Sequence, residues 1–256
     1  MDNGTVQRRD QNRPPGEAFL SAKGIHKRFG ALAVLENLDF SMGDGDAVGI
    51  VGPNGAGKTT LLSVLAGAFP PSAGTVTFDG ANVTALSAAD RCRSGLVRTH
   101  QIPKPFSGMT TFENVFVAAS HSNAASRDEA YERVVDSLTL CGMLGVANRR
   151  ADTLGLLDRK RLELARALAT KPKLLLLDEI GGGLTDGEAS ELVNTILELR
   201  RRGIGIVWIE HIVHILLQVV ERLICMDAGK IIADGEPKAV MSNTEVIKAY
   251  LGGTPA

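Results

Sequence analysis

The chain has 256 residues, 44% of them hydrophobic and 22% charged, which suits a soluble globular protein with one large domain or two small ones. Its formal net charge of −1 supplies no general field for nucleic acid or an anionic membrane. No apolar run approaches the roughly 18 residues needed to cross a bilayer, because the longest candidate, 204–226, is broken by Glu210, His211, His214, Gln218, Glu221 and Arg222.

The opening stretch, MDNGTVQRRDQNRPPGE, has paired arginines without an apolar core after them, so it reads as neither a secretory signal nor an anchor. Residues 1–17 are expected to form a disordered tail, followed by one domain over 18–256. Cys92, Cys141 and Cys225 form no CxxC pair and are expected to be reduced, buried thiols of a cytosolic protein. Residues 18–51 read as β structure ending in the strand Ala47–Val51, then a glycine-rich turn and a helix in KTTLLSVLAGAF. GTVTFDG alternates like a strand and closes in a turn at Asp79-Gly80, typical of a small antiparallel layer. Over about 111–169 the pattern turns helical. There EAYERVVDSLTL places Tyr131, Val134, Val135 and Leu138 on one face, and DRKRLELARALA does the same with Leu162, Ala165 and Leu168. From 173 onward KLLLLD, a helix over 187–202, IGIVWIE, a helix over 212–220 and RLICMD repeat as β-α units, which implies a parallel sheet. AGKIIADGE reads as a terminal hairpin and TEVIKAYLG as a closing helix.

Leu174 to Leu177 form a strand with no polar interruption, so both of its faces are expected to be buried. Asp178 and Glu179 then stand at its carboxyl end, where two unpartnered acids would cost roughly several kcal/mol. GPNGAGKTT supplies what they face. It fits G-x-x-x-x-G-K-[ST], with Gly52, Pro53, Asn54, Gly55, Ala56 and Gly57 forming a turn whose backbone N–H groups can curl around phosphate oxygens. The amino terminus of the following helix, with Lys58, Thr59 and Thr60, adds positive potential. Lys58 would reach the β- and γ-phosphates and the Thr59 hydroxyl would ligate Mg²⁺. Asp178 can hold that Mg²⁺ through water, and Glu179 can orient and polarise the water attacking the γ-phosphate.

A whole helical insertion separates Lys58 from Asp178, a layout that resembles the ATP-binding-cassette (ABC) transporter ATPases over nearly the whole chain from residue 18. The resemblance implies an α/β P-loop NTPase fold with a mainly parallel core sheet, a small antiparallel β layer and a helical subdomain. It implies that Phe29, in HKRFGALAV, stacks on adenine. Gln101, in VRTHQIPKPFSGMTTFENV, would touch the metal-water shell and couple to the membrane subunit, and His211, after IVWIE, would sense the γ-phosphate. It also exposes departures. The signature that opens a helix and grips ATP on the opposite subunit, LSGGQ or LSYGQ, falls on LGLLD, where Gly155, Leu156, Leu157 and Asp158 offer no serine hydroxyl, no second glycine and no glutamine. Either this half-site is degenerate, or backbone amides still hold the phosphate with Asp158 as N-cap. Arg159, Lys160 and Arg161 then oppose the helix dipole, as cations facing an anion or as a solvated face partly paired to Glu163. Thr185 stands in place of the D-loop aspartate, Ile180 in place of a proline after the acid pair, and His100 in place of an aromatic before Gln101.

The finer resemblance, carried by VRTHQIPKPFSGMTTFENV, RLELARALATKPKLLLLDE, the EH pair and the ending VIKAYLGG, is to the ATPase subunits of branched-chain amino-acid importers. It implies a Mg²⁺-ATP-driven motor, peripheral at the cytoplasmic face of the membrane. That motor would pair head-to-tail with a second ATPase subunit, identical or different, and serve integral membrane permease subunits and an extracytoplasmic solute-binding protein. The solutes would be branched-chain or other small amino acids, and no nucleic-acid partner is expected. Two alternatives stand beside it. One is a soluble ABC ATPase of translation or DNA repair, whose tandem cassettes or long coiled-coil inserts are not seen here. The other is a regulatory nucleotide binder with weak hydrolysis.

Overall fold

Extended alternating runs at the start and short, wholly apolar runs later build two sheets of different character. The computed structural model describes residues 17–124 and 126–251, so the expected tail lies outside the described residues except for Glu17. In chain order come β1 (Leu20–Phe29), β2 (Leu32–Met42), β3 (Ala47–Val51), α1 (Lys58–Leu65), β4 (Ala73–Phe78), β5 (Ala81–Asn82), α2 (Ala88–Ser94) and β6 (Leu96–Arg98). The helical stretch holds α3 (Thr111–Ser120), α4 (Arg127–Leu140) and α5 (Leu156–Leu168). After it follow β7 (Leu174–Asp178), α6 (Asp186–Arg201), β8 (Gly205–Ile209), α7 (Val213–Leu216), β9 (Arg222–Asp227), β10 (Lys230–Gly235), α8 (Pro237–Met241) and α9 (Thr244–Leu251).

The larger sheet runs β10-β9-β3-β8-β7-β6, parallel throughout except for the antiparallel β9-β10 hairpin. Every residue of β3, β7 and β8 is buried, as the unbroken apolar runs required. Successive side chains divide between two cores, since strand residues alternate faces. Leu175, Leu177, Ile206, Trp208, Leu223 and Cys225 meet the helices on one face. Leu174, Leu176, Val207, Ile209, Ile224 and Met226 meet α1 and the antiparallel sheet β2-β1-β4-β5 on the other. Asp79 and Gly80, both at positive φ, close the β4-β5 turn as expected of a Asp-Gly pair.

Two helical expectations change. On α4 the buried stripe runs through Ala130, Val134 and Leu138, while Val135 is 45% exposed and Tyr131 packs outward against Phe112 and Phe116 of α3. A stripe drawn through both 134 and 135 is wider than the contact with α3 and α5 covers. The helix expected over 212–220 is α-helical only at Val213–Leu216, and then Gln218 N–H bonds Ile215 O and Val219 N–H bonds Leu216 O in tighter turns. Ile212, Val213, Ile215, Val219 and Val220 are β-branched and lose side-chain freedom in a helix. The cysteines are free, with Cys141 and Cys225 buried and Cys92 half-buried. Burial pushes the Cys141 thiol up to about 12 and that of Cys225 up to about 11. No helix among the described residues is long and apolar enough to cross a membrane.

Candidate functional site

Four neighbouring parallel strands, β3, β8, β7 and β6, end side by side, and each delivers chemistry at its carboxyl end, where open α/β sheets form their clefts. From β3 the chain enters the loop Gly52–Gly57. Gly52 has φ 146°, and a Cβ there would lie 2.1 Å from Met226 O, so only glycine permits the turn off the strand. Gly57 has φ 97°, with Leu35 Cδ2 at 2.9 Å and Val34 O at 3.0 Å from its missing Cβ. The loop then feeds α1, whose first residue is Lys58. The Lys58 ammonium donates to Gly52 O at 2.7 Å and Pro53 O at 2.9 Å. Burial lowers the pKa of this ammonium, opposed by the charges of Glu179 and Asp178.

Asp178, the last residue of β7, is fully buried and has two neighbours. The Thr59 hydroxyl lies 3.4 Å from its Oδ1, and Arg98 Nη2 lies 2.7 Å from its Oδ2. Arg98 also donates to Ser63 Oγ at 2.7 Å, which ties β6 to the first turns of α1. Glu179 follows in the left-handed region at φ 49°, a strained backbone for a residue with a side chain. The bend is held by its own N–H on Ile209 O at 2.9 Å and by Lys160 Nζ, 3.4 Å from its carbonyl. It aims the carboxylate between two partners. Gln101 Nε2 donates to Oε2, and His211 Nε2 lies 2.8 Å from Oε1.

The structure therefore brings Lys58, Thr59, Gln101, Asp178, Glu179 and His211 to one place. Behind them is a group that sequence reasoning passed over. Glu210 is buried and accepts Gly181 N–H at 2.9 Å and His211 N–H at 3.2 Å, so one carboxylate joins the loops after β7 and β8. Burial raises its pKa, and lowers that of the buried Lys160 ammonium against the opposing charges of Glu210 and Glu179. The available signal was a carboxylate placed next to His211 at the end of a wholly apolar strand.

Phe29 lies farther out, at the end of β1. It is 47% exposed, edge-on to Phe69 at 5.3 Å, with the Lys27 ammonium 5.0 Å from its centroid. That is an accessible aromatic face rather than a core phenylalanine.

In the segment Leu154–Asp158 the expected cap lies elsewhere. Gly155 is the N-cap of α5 and gives no side-chain bond, and Asp158 is the third helical residue, 3.7 Å from Arg161. Gly155 holds the cap position and no side chain bonds to it there, so the expected Asp158 cap is corrected. The basic triplet lies in the second turn, with Arg159 exposed, Lys160 buried and Arg161 half-buried. Arg159 donates to Leu154 O at 2.9 Å and Asp152 O at 3.0 Å, Arg161 pairs with Glu191, and Lys160 points inward. Glu163 pairs with Arg166 at 3.0 Å instead. Thr185, in place of the D-loop acid, caps α6 in a reciprocal capping box with Glu188. Leu156 lines a cleft of about 270 Å³ together with Gln101, Ile102, Pro103, Lys160, Glu179 and Gly182.

The family model described as ABC transporter matches residues 35–181, more than half of the chain and the whole span from the phosphate loop to the acid pair. The chain belongs to the ATP-binding subunits of ABC transporters. A second model, described as branched-chain amino acid ATP-binding cassette transporter, matches residues 230–256. The high-affinity branched-chain amino acid transport ATP-binding protein LivG of Salmonella typhimurium is 34% identical over 92% of this chain and 98% of its own length. The corresponding BraF protein of Pseudomonas aeruginosa is 34% identical over 91% and 98%. Among solved structures, the ADP conformation of an ATP-binding cassette from an ABC transporter superposes with TM-score 0.84 at 32% identity, covering 92% of this chain and 99% of that one. This ABC cassette is thus an ATPase of the kind coupled to transport, with the P-loop α/β fold that its motifs implied.

Proposed function

We propose that the chain is the ATP-hydrolysing motor subunit of an importer for branched-chain or other small amino acids. The observation that supports it best is the convergence of Lys58, Thr59, Asp178, Glu179, Gln101 and His211 at the ends of four adjacent strands, in a chain whose last segment matches the branched-chain subfamily. Backbone amides of residues 54–60 at the α1 amino terminus would receive the phosphates, Lys58 would turn to the β- and γ-phosphates, and Phe29 would take the adenine ring. Thr59 Oγ1 and Asp178 Oδ1 are hard oxygen donors 3.4 Å apart, a donor set that suits Mg²⁺. When bound, that ion would neutralise charge building on the transferred phosphate.

Glu179 acts as general base, taking the proton of the attacking water. Its carboxylate is oriented before substrate arrives, because Gln101 and His211 each hold one oxygen. Gln101 links this carboxylate to exposed Ile102 and Phe106, the surface from which opening and closing would pass to permease subunits. The partners would be those membrane subunits, a second ATPase subunit and a solute-binding protein, at the cytoplasmic face of the membrane.

Titration calorimetry with Mg-ATP tests the site. Lys58→Ala removes the cation facing the phosphates and should abolish tight binding; unchanged affinity would mean that the nucleotide lies elsewhere. Isolation of the native complex tests the assembly, since membrane-spanning subunits should accompany the chain.

A further inference from the structure

The ending VIKAYLGG carries part of the resemblance yet takes no part in the site as built so far. Its described residues, 246–251, belong to α9 (Thr244–Leu251), within the segment matched by the branched-chain model. Asn243 accepts the Glu245 N–H at 2.8 Å at the start of the helix, and buried Val246 seats it on the domain. Tyr250 stands four residues after Val246, on the same helical face. Its hydroxyl accepts the Gly52 N–H at 2.8 Å, across 198 positions of chain.

Gly52 is where β3 becomes the phosphate loop, and it is gripped from three sides. Met226 O blocks it on the β9 side, at 2.1 Å from where a Cβ would be. Lys58 Nζ holds its carbonyl at 2.7 Å, and Tyr250 holds its N–H. Burial raises the Tyr250 phenol above its usual pKa, against the opposing effect of the Gly52 bond, so the hydroxyl stays protonated near neutral pH.

We propose that Tyr250 is a positioning residue for nucleotide binding, through which the closing helix pins the first residue of the phosphate loop. The inference rests on the loop binding the phosphates of ATP. When Lys58 turns to those phosphates it leaves Gly52 O and Pro53 O, and two of the side-chain bonds that order the loop are released. Tyr250 donates nothing to the nucleotide and has no reason to move, so its bond persists. A loop already fixed at its first residue loses less freedom when the phosphates arrive, which appears as affinity. The C-terminal segment thereby sets how well the cassette holds ATP without touching it.

The test uses the full chain and its transporter complex with Mg-ATP. Tyr250→Phe keeps the ring and removes one hydrogen bond, and should raise the Kd for Mg-ATP about threefold to tenfold. KM for ATP should rise by a similar factor with kcat unchanged, the pattern of lost uniform binding. Amide exchange at Gly52 should become faster. Ile247→Ala, at an exposed position of the same helix, should leave all three at parental values. A parental Kd and Gly52 exchange rate in Tyr250→Phe would overturn the inference, as would a loss confined to the melting temperature or to kcat. If the unmodified chain failed to bind Mg-ATP, the phosphate-loop reading would fall and this inference with it. Binding by the parent with no change in the variant removes the inference alone.

Discussion

Removing the Arg98 side chain should destabilise the protein by an amount that the geometry bounds. Arg98 and Asp178 lie 2.7 Å apart with side chains 15% and 1% exposed, so the aspartate has almost no water to turn to. Breaking such a pair from one side costs about 3–5 kcal/mol, because the other charge is left buried. The low end applies here, since Lys58 remains close enough for Asp178 to act on its ionisation. About 3 kcal/mol corresponds to a fall of about 6–12 °C in melting temperature for a chain of this size. Differential scanning calorimetry of Arg98→Ala measures it directly. Lost packing of the arginine stem is separated by a double-mutant cycle with Asp178→Asn. If the charge pair is the cause, Arg98→Ala costs much less once residue 178 is neutral. A melting temperature within about 2 °C of the parent, or additive effects in the cycle, would show that Arg98 is not what stabilises the buried carboxylate.

Two further outcomes concern catalysis. Glu179→Gln should retain Mg-ATP binding while stopping turnover, because an amide cannot accept the water's proton; steady-state hydrolysis by the assembled transporter at the parental rate would remove Glu179 from that role. The missing serine hydroxyl at Gly155 is worth roughly 1.5–3 kcal/mol at one ATP site, so the isolated chain should hydrolyse ATP weakly and the complex with a second ATPase subunit much faster. In that complex, losing this chain's Glu179 should cost more activity than losing the partner's equivalent carboxylate, and equal losses would show that the amides of Leu156 and Leu157 replace the signature side chains.

What the sequence disclosed and what it withheld divide by distance along the chain. The phosphate loop, the apolar strand before Asp178 and the β9-β10 turn are local. Glycines at positive φ, a run of leucines and a turn pair each impose their geometry within a few residues. The supporting groups are not local. Arg98 meets Asp178 over 80 positions, Glu210 meets Gly181 over 29, and Tyr250 meets Gly52 over 198. An arginine in a short strand reads as a solvated side chain until β6 is known to lie beside β7. The error at Asp158 has a different origin. An acid near a helix start is a good cap only at the position just before the first helical residue, and here the helix begins three residues earlier, at Leu156. That shift changes the chemistry. With Gly155 as a bare cap, the amides of the first turn of α5 have no side-chain oxygen of their own. A helix amino terminus left in that state retains its affinity for an anion. The same segment that lost the signature hydroxyl therefore keeps its backbone donors, while Asp158, half-buried in the same turn, opposes negative charge. The opposing effects make Asp158 the residue that decides between a weak half-site and none. Asp158→Asn removes the repulsion, leaves the amides in place, and should raise hydrolysis by the chain paired with itself. If activity in that assay did not rise, the missing hydroxyl rather than the added charge would be what limits the site.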